Sequence, residues 1–179
     1  KTFAHALKAA GYQTAIAGKW QLGHDKALPA HFGFDEYCLW QLSYEKKQGE
    51  RFANPLIERN GETLPRDEAV YGPDVFADFA CDFMTRNRET PFLLYYPMVL
   101  VHNPFVPTPD SPDWARDRHK DAPRYFADMM TYTDKVVGRL VDHVASLGLA
   151  EDTVFLFTGD NGTNRKITSK MGGRVIPGG

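Results

Sequence analysis

A chain of 179 residues with 42% hydrophobic content is long enough to bury one real core, which excludes an intrinsically disordered polypeptide. Charged residues make up 25% and the formal net charge is -2, without long runs of one sign, so neither nucleic acid nor an anionic membrane surface is an expected partner. The longest apolar runs, at 92–96 and 154–157, fall far short of the ~20 residues of a membrane-spanning helix.

Residues 2–10 predict a helix, with Phe3, Ala4, Leu7 and Ala10 at helical spacing, Thr2 as N-cap and Gly11 just past the end. Residues 12–17 predict a short strand ended by Gly18. From 24 to 71 no period is sustained, and Phe32, Phe34, Tyr37, Trp40 and Tyr44 stand among charges and glycines, so this stretch reads as a long excursion with little regular structure. Of these, Phe34, Tyr37 and Trp40 are expected to pack as a satellite cluster, with a sugar-binding groove as the less favoured reading. Gly72-Pro73-Asp74 then opens a helix to about Asn87 that carries Val75, Phe76, Phe79, Phe83 and Met84 on one face.

Residues 92–96 form a continuous apolar run typical of a strand buried on both faces. Pro104, Pro107, Pro109 and Pro112 interrupt regular structure through Trp114, and Pro123 opens the longest helix, closed by Gly148. A third buried-type strand is expected at 153–158, after which the chain is Gly- and Asn-rich. Buried-type strands joined by helical crossovers predict an α/β fold, a mostly parallel sheet with helices on both faces. Cys38 and Cys81 form no C-x-x-C pair, and a disulfide between them stays open.

Parallel strands point the same way, so the loops after them gather along one edge, where open α/β sheets place ligands. The loop after the first strand holds Lys19 and Gln21, that after the second holds His102 and Asn103, and that after the third holds Asp160 and Asn161. An ammonium, an imidazole and side-chain oxygens on one rim suit an anionic substrate beside a hard cation. By default each is bland: Asp160-Asn161-Gly162 is an ordinary turn, Lys19 a solvated lysine and His102 a structural histidine. Asn161-Gly162-Thr163 is also a glycosylation sequon, a reading that excludes Asn161 as a metal ligand.

Ala6-Leu7-Lys8-Ala9-Ala10-Gly11-Tyr12 followed by Gly18-Lys19-Trp20-x-Leu22-Gly23 resembles the sulfatase signature A-L-K-x-A-G-Y…G-K-W-H-L-G. The run 92–96 with His102-Asn103-Pro104, and Phe157-Thr158-Gly159-Asp160-Asn161-Gly162, resemble that family's histidine loop and metal-binding turn in the same order. The resemblance implies an incomplete sulfatase core of the alkaline phosphatase superfamily, with residues 1–179 as the central part of its catalytic domain. It implies a sulfuric ester hydrolase acting on a sulfated small molecule or sulfated glycan. Asp160 and Asn161 would be Ca²⁺ ligands, Lys19 and His102 catalytic groups contacting sulfate, and Gln21 a substrate-binding residue. Gln21 stands where the signature has histidine and cannot carry a proton.

The family's formylglycine nucleophile, made in a C-x-P-S-R type motif, is expected before Lys1, and neither cysteine here fits that motif. The isolated 179 residues are therefore expected to be inactive and to bind Ca²⁺ weakly, since two ligands fall short of the 6 to 8 oxygens the ion takes. A periplasmic or secreted parent is the family's implication, and the sequence leaves the oligomeric state open. Two other readings stay open: a phosphodiesterase or phosphonate hydrolase of the same superfamily, and a non-catalytic carbohydrate-binding relative.

Overall fold

The computed structural model describes residues 1–46 and 49–179; Lys47 and Gln48, inside the 24–71 excursion, lie outside the described residues. The chain opens with helix α1 (Phe3–Ala9), capped as its sequence predicts: the His5 N–H donates to the Thr2 hydroxyl at 3.3 Å, and the Thr2 N–H donates to His5 Nδ1 at 3.2 Å. Strand β1 (Gln13–Gly18) follows, then the single-turn helix α2 (Leu28–His31) and strand β2 (Glu36–Trp40). Short strands β3 (Ile57–Arg59) and β4 (Glu62–Thr63) precede helix α3 (Gly72–Arg86), strand β5 (Phe92–Tyr95), one helical turn α4 (Trp114–Asp117) and helix α5 (Phe126–Ser146). A hairpin of β6 (Thr168–Met171) and β7 (Arg174–Pro177) lies near the end.

The main sheet runs in the order β4-β3-β2-β1-β5. β1 pairs in parallel with β2 on one side and β5 on the other, while β3 and β4 add antiparallel pairs beyond β2. This is the predicted parallel sheet extended by an antiparallel edge, an arrangement common in α/β folds. Alternation along the central strands divides the core. Ala15, Ala17, Cys38 and Trp40 face Phe76, Phe79 and Phe83 of α3 and Met129 and Val136 of α5, whereas Ile16 and Leu39 face Ala4 of α1 with Trp20 and Phe34. The helices therefore cover both faces. Both cysteines are buried free thiols, so the open disulfide does not form, and burial pushes the Cys38 thiol up to about 12.

Two expectations are corrected. The excursion is more ordered than its composition suggested, because β2, β3 and β4 lie within it. Residues 153–158 form no strand: Val154, Phe155, Leu156 and Phe157 are exposed, and no ladder hydrogen bond among the described residues reaches them. Their apolar side chains supply strand propensity, but a parallel strand exists only where its N–H and C=O groups are paired, and these pair with no strand of the sheet.

Candidate active-site rim

Lys19 is placed by the glycine before it. Gly18 ends β1 with φ 113°, and a Cβ there would lie 2.2 Å from the Pro97 carbonyl oxygen, so only glycine lets the ends of β1 and β5 approach this closely. The Lys19 N–H then donates to that same carbonyl at 2.8 Å, joining the loop after β1 to the loop after β5. Buried Trp20 locks the turn that follows, donating from Nε1 to the Gly23 carbonyl at 3.0 Å and packing edge-on to Phe32. Lys19 is half-buried and Gln21 is exposed.

His102 lies on the loop after β5, on the far side of that junction. Its Nδ1 is 2.7 Å from the Asn103 carbonyl oxygen. A carbonyl only accepts, so Nδ1 carries the hydrogen and Nε2 of the exposed ring is the nitrogen left for solvent or substrate. In this tautomer Nε2 accepts a proton when the ring is neutral and donates one only as imidazolium.

Asp160 and Asn161 are both exposed, and without a strand at 153–158 no sheet pairing carries them to the rim. The turn that follows them packs instead near the last residues, where a Cβ on Gly162 would meet the Gly179 carbonyl oxygen at 2.1 Å. By donor type Asp160 and Asn161 suit a hard cation. Among the described residues, however, no group of three or more His, Cys, Asp or Glu gathers as a metal-binding set. The structure thus ties Lys19 to the His102 loop through the backbone and leaves Asp160 and Asn161 without such a tie.

Two concavities lie elsewhere, one of about 450 Å³ lined by Phe126, Met130 and Ile167, the other of about 570 Å³ beside Arg139 and His143. Neither includes Lys19, His102 or Asp160; the second does gather Cys81, His143 and Ser146, but His143 Nε2 lies at 3.0 Å from the Cys81 carbonyl and 2.9 Å from the Thr85 hydroxyl, and Ser146 donates to the His143 carbonyl at 2.7 Å, so the rim is the better candidate.

Glu58 on β3 escaped the sequence reading. Its carboxylate is fully buried and accepts from the Ser43 N–H at 2.7 Å and the Ser43 hydroxyl at 2.6 Å, with the Lys26 ammonium at 3.5 Å. It therefore holds the turn after β2 against the loop that carries Lys19 and Gln21. Nothing in the pattern Leu56-Ile57-Glu58 announces this, because only the fold shows that an isolated carboxylate is sealed beneath two loops.

The family model described as Sulfatase matches residues 1–172. Arylsulfatase A from Homo sapiens is 30% identical over 199 residues, covering 96% of this chain and 37% of that protein. N-acetylgalactosamine-6-sulfatase from Sus scrofa is 32% identical over 191 residues, covering 96% and 34%. The chain spans about a third of the length of these curated relatives. Among solved structures, Ps i-CgsB superposes with a TM-score of 0.63 at 22% identity over 81% of this chain and 36% of that one. A Bacteroides thetaiotaomicron structure described under the metabolism of multiple glycosaminoglycans superposes with a TM-score of 0.63 at 19% identity, covering 84% and 43%. These two likenesses establish the fold. Among the described residues, no helix is long and apolar enough to cross a membrane.

Proposed function

The chain belongs to the sulfatase family, and from that premise we propose that it forms the central part of a sulfuric ester hydrolase, with Lys19 and His102 acting on the sulfate group. The observation that carries this reading is the 2.8 Å bond from the Lys19 N–H to the Pro97 carbonyl, which fixes the lysine loop against the histidine loop at one end of the parallel strands. Lys19 supplies a fixed positive charge to the oxygens of the ester as negative charge builds on them during S–O cleavage. His102, with Nδ1 committed to the Asn103 carbonyl, holds or releases a proton at Nε2, beside the oxygen of the departing alcohol. Gln21 donates a hydrogen bond to sulfate without exchanging a proton.

Asp160 and Asn161 supply two of the oxygens that would hold Ca²⁺, and the rest of its ligands come from outside the described residues. When bound, that ion would offset the charge of the sulfate oxygens. The nucleophile, formylglycine in this proposal, lies outside these 179 residues, so the isolated chain does not turn over. Relatives named for aryl and N-acetylgalactosamine sulfates support a sulfated small molecule or glycan as the substrate class.

The test is substitution in the full-length protein. Lys19→Ala should lower aryl sulfate turnover roughly 10²- to 10³-fold, the effect of removing one positioned stabiliser of developing charge. Asp160→Ala should lower both turnover and bound Ca²⁺. Unchanged turnover in Lys19→Ala removes the catalytic assignment, and unchanged metal content in Asp160→Ala removes the metal assignment. A full-length protein that cleaves phosphate diesters or phosphonates but no sulfate ester would shift the reaction to phosphoryl chemistry on the same rim.

A further inference from the structure

Arg51 stands in the turn-rich stretch between β2 and β3 with its backbone pinned: a Cβ on Gly72 would lie 2.0 Å from the Arg51 carbonyl oxygen, and the Gly72 N–H donates to the Phe52 carbonyl at 2.8 Å. Glycine at the start of α3 is what allows this approach. The guanidinium is held over the ring of Trp40, 4.2 Å from its centroid, with the Phe52 ring at 6.0 Å. Its Nε is buried and has no hydrogen-bond partner among the described residues, and the group forms no ion pair with a described carboxylate. Burial works against the charged form, an effect that the neighbouring Glu50 charge partly offsets.

A planar cation with an orphaned donor is costly to hold half-buried. Stacking on an indole contributes only about 0.5–2 kcal/mol, while an unsatisfied buried polar group costs about 1–3 kcal/mol. An oxyanion offsets that cost from the accessible side, because the two terminal Nη atoms, unlike Nε, are not enclosed, and the fork they form matches two oxygens of a carboxylate or sulfate.

The platform also sits beside the candidate site. Gly18 of β1 lies opposite Leu39 of β2, so Trp40, the next residue of β2, runs alongside Lys19. On its other side this end of β2 pairs with β3, Trp40 lying opposite Ile57, and Ser43, held by Glu58 of β3, follows the same end.

We infer that Arg51, stacked on Trp40, is a specificity-determining residue that binds a second oxyanion of the substrate next to the sulfate under attack. The preferred substrate is then a saccharide carrying at least two anionic groups rather than an isolated aryl sulfate. This rests on the sulfatase reading only for the position of the attacked group, since the Arg51 platform is defined by its own contacts.

The test compares binding of three probes to the full-length protein by calorimetry: N-acetylgalactosamine 6-sulfate, N-acetylgalactosamine 4,6-disulfate and a 6-sulfated disaccharide bearing a glucuronate. The unsubstituted protein should bind one of the doubly anionic probes at least tenfold more tightly than the singly anionic one, and which one identifies the second group as sulfate or carboxylate. Arg51→Gln should reduce that preference to about onefold. Arg51→Lys, which keeps the charge but loses the fork and the flat stack, should retain a preference of a few-fold; it also decides the matter if the Gln variant does not fold.

The inference is overturned if the unsubstituted protein shows no preference, if both variants keep it, or if both lose affinity for all three probes by one factor. Aryl sulfate turnover is measured separately. A preference lost on substitution in a protein that cleaves no sulfate ester upholds Arg51 and defeats the enzymatic reading, whereas turnover with an unaltered preference does the opposite.

Discussion

Phe92–Tyr95 and residues 154–157 are the same kind of sequence in two circumstances. The first, Phe-Leu-Leu-Tyr, pairs in parallel with β1 from Gln13↔Phe92 to Ile16↔Tyr95 and half-buries Phe92 and Leu94 against the cores formed with α3 and α5 and Leu93 against the cluster beside α1, leaving Tyr95 exposed. The second, Val-Phe-Leu-Phe, is at least as apolar, yet Val154 is 84% exposed and Leu156 91% exposed. Burying one such side chain stabilises a fold by roughly 1.5–3 kcal/mol, so the difference does not lie in the residues. It lies in the pairing: Phe92–Tyr95 is hydrogen-bonded to β1, whereas 154–157 is paired with no strand among the described residues. β5 itself ends the sheet order with its outer edge unpaired, which makes that edge and the exposed run the two places where a further strand would gain most.

Truncation of one buried and one exposed side chain tests this contrast most severely. Phe83 is fully buried between the sheet and α5 and meets Phe92 edge-on at 6.0 Å. Phe83→Ala should destabilise the chain by about 3–5 kcal/mol, and Leu156→Ala by less than about 0.5 kcal/mol, read as shifts of the urea midpoint. Comparable losses in the two variants would mean that 154–157 is covered in solution, and the contrast would fall.

The same contrast explains what the sequence could disclose. α1, α3 and α5 were legible because their signals are local: Thr2 caps the first, Pro73 and Asp74 open the second, and the apolar spacing from Phe126 to Val144 marks the third. β2 was not legible, because burial on both faces erases the alternation that marks a strand and Tyr37-Cys38-Leu39-Trp40 resembles any aromatic-rich loop. The β6–β7 hairpin did carry a signal, Gly172-Gly173, but its flanks are exposed and lack the alternation that would have made the turn persuasive.

At the rim, Lys19 and His102 could be named as candidates from the sequence because each follows a run that reads as a strand. Arg51 and Glu58 could not, since their interest comes from burial, a tertiary property with no local mark in the sequence. The expectation for Asp160 and Asn161 depended on a strand at 153–158, so their placement was only as good as the neighbour that strand needed.

Glu58 sharpens the comparison from the polar side. In the sheet region a carboxylate is sealed with the Ser43 N–H, the Ser43 hydroxyl and the Lys26 ammonium as partners, whereas no described residue from 153 to 179 has an acidic side chain enclosed in this way. Glu58→Gln keeps the shape but turns one acceptor into a donor facing Ser43, and should cost roughly 1.5–3 kcal/mol, the range for hydrogen bonds to a charged group. Urea denaturation reads the loss. A change within the scatter of surface substitutions would show that the loops after β1 and β2 are held by something other than this carboxylate.

The smallest expected effect concerns Asp35, which joins the elements that give β1 its parallel neighbour. Burial pushes its carboxyl up, but the Lys8 ammonium and the hydroxyl and N–H of Thr14 outweigh burial and hold it below the usual value of 3.8. A carboxyl depressed in the fold stabilises it when ionised, so its contribution is present above the ordinary value and is lost as pH falls through the lower, folded one. Asp35→Asn should therefore cost about 1 kcal/mol at neutral pH, and the deficit should shrink as the original protein is acidified below about pH 4. Paired urea midpoints across that range read both quantities. A deficit that persists unchanged in acid would assign the loss to the shape of the Thr14 contacts rather than to charge, leaving the junction of α1, β1 and β2 without an electrostatic clasp.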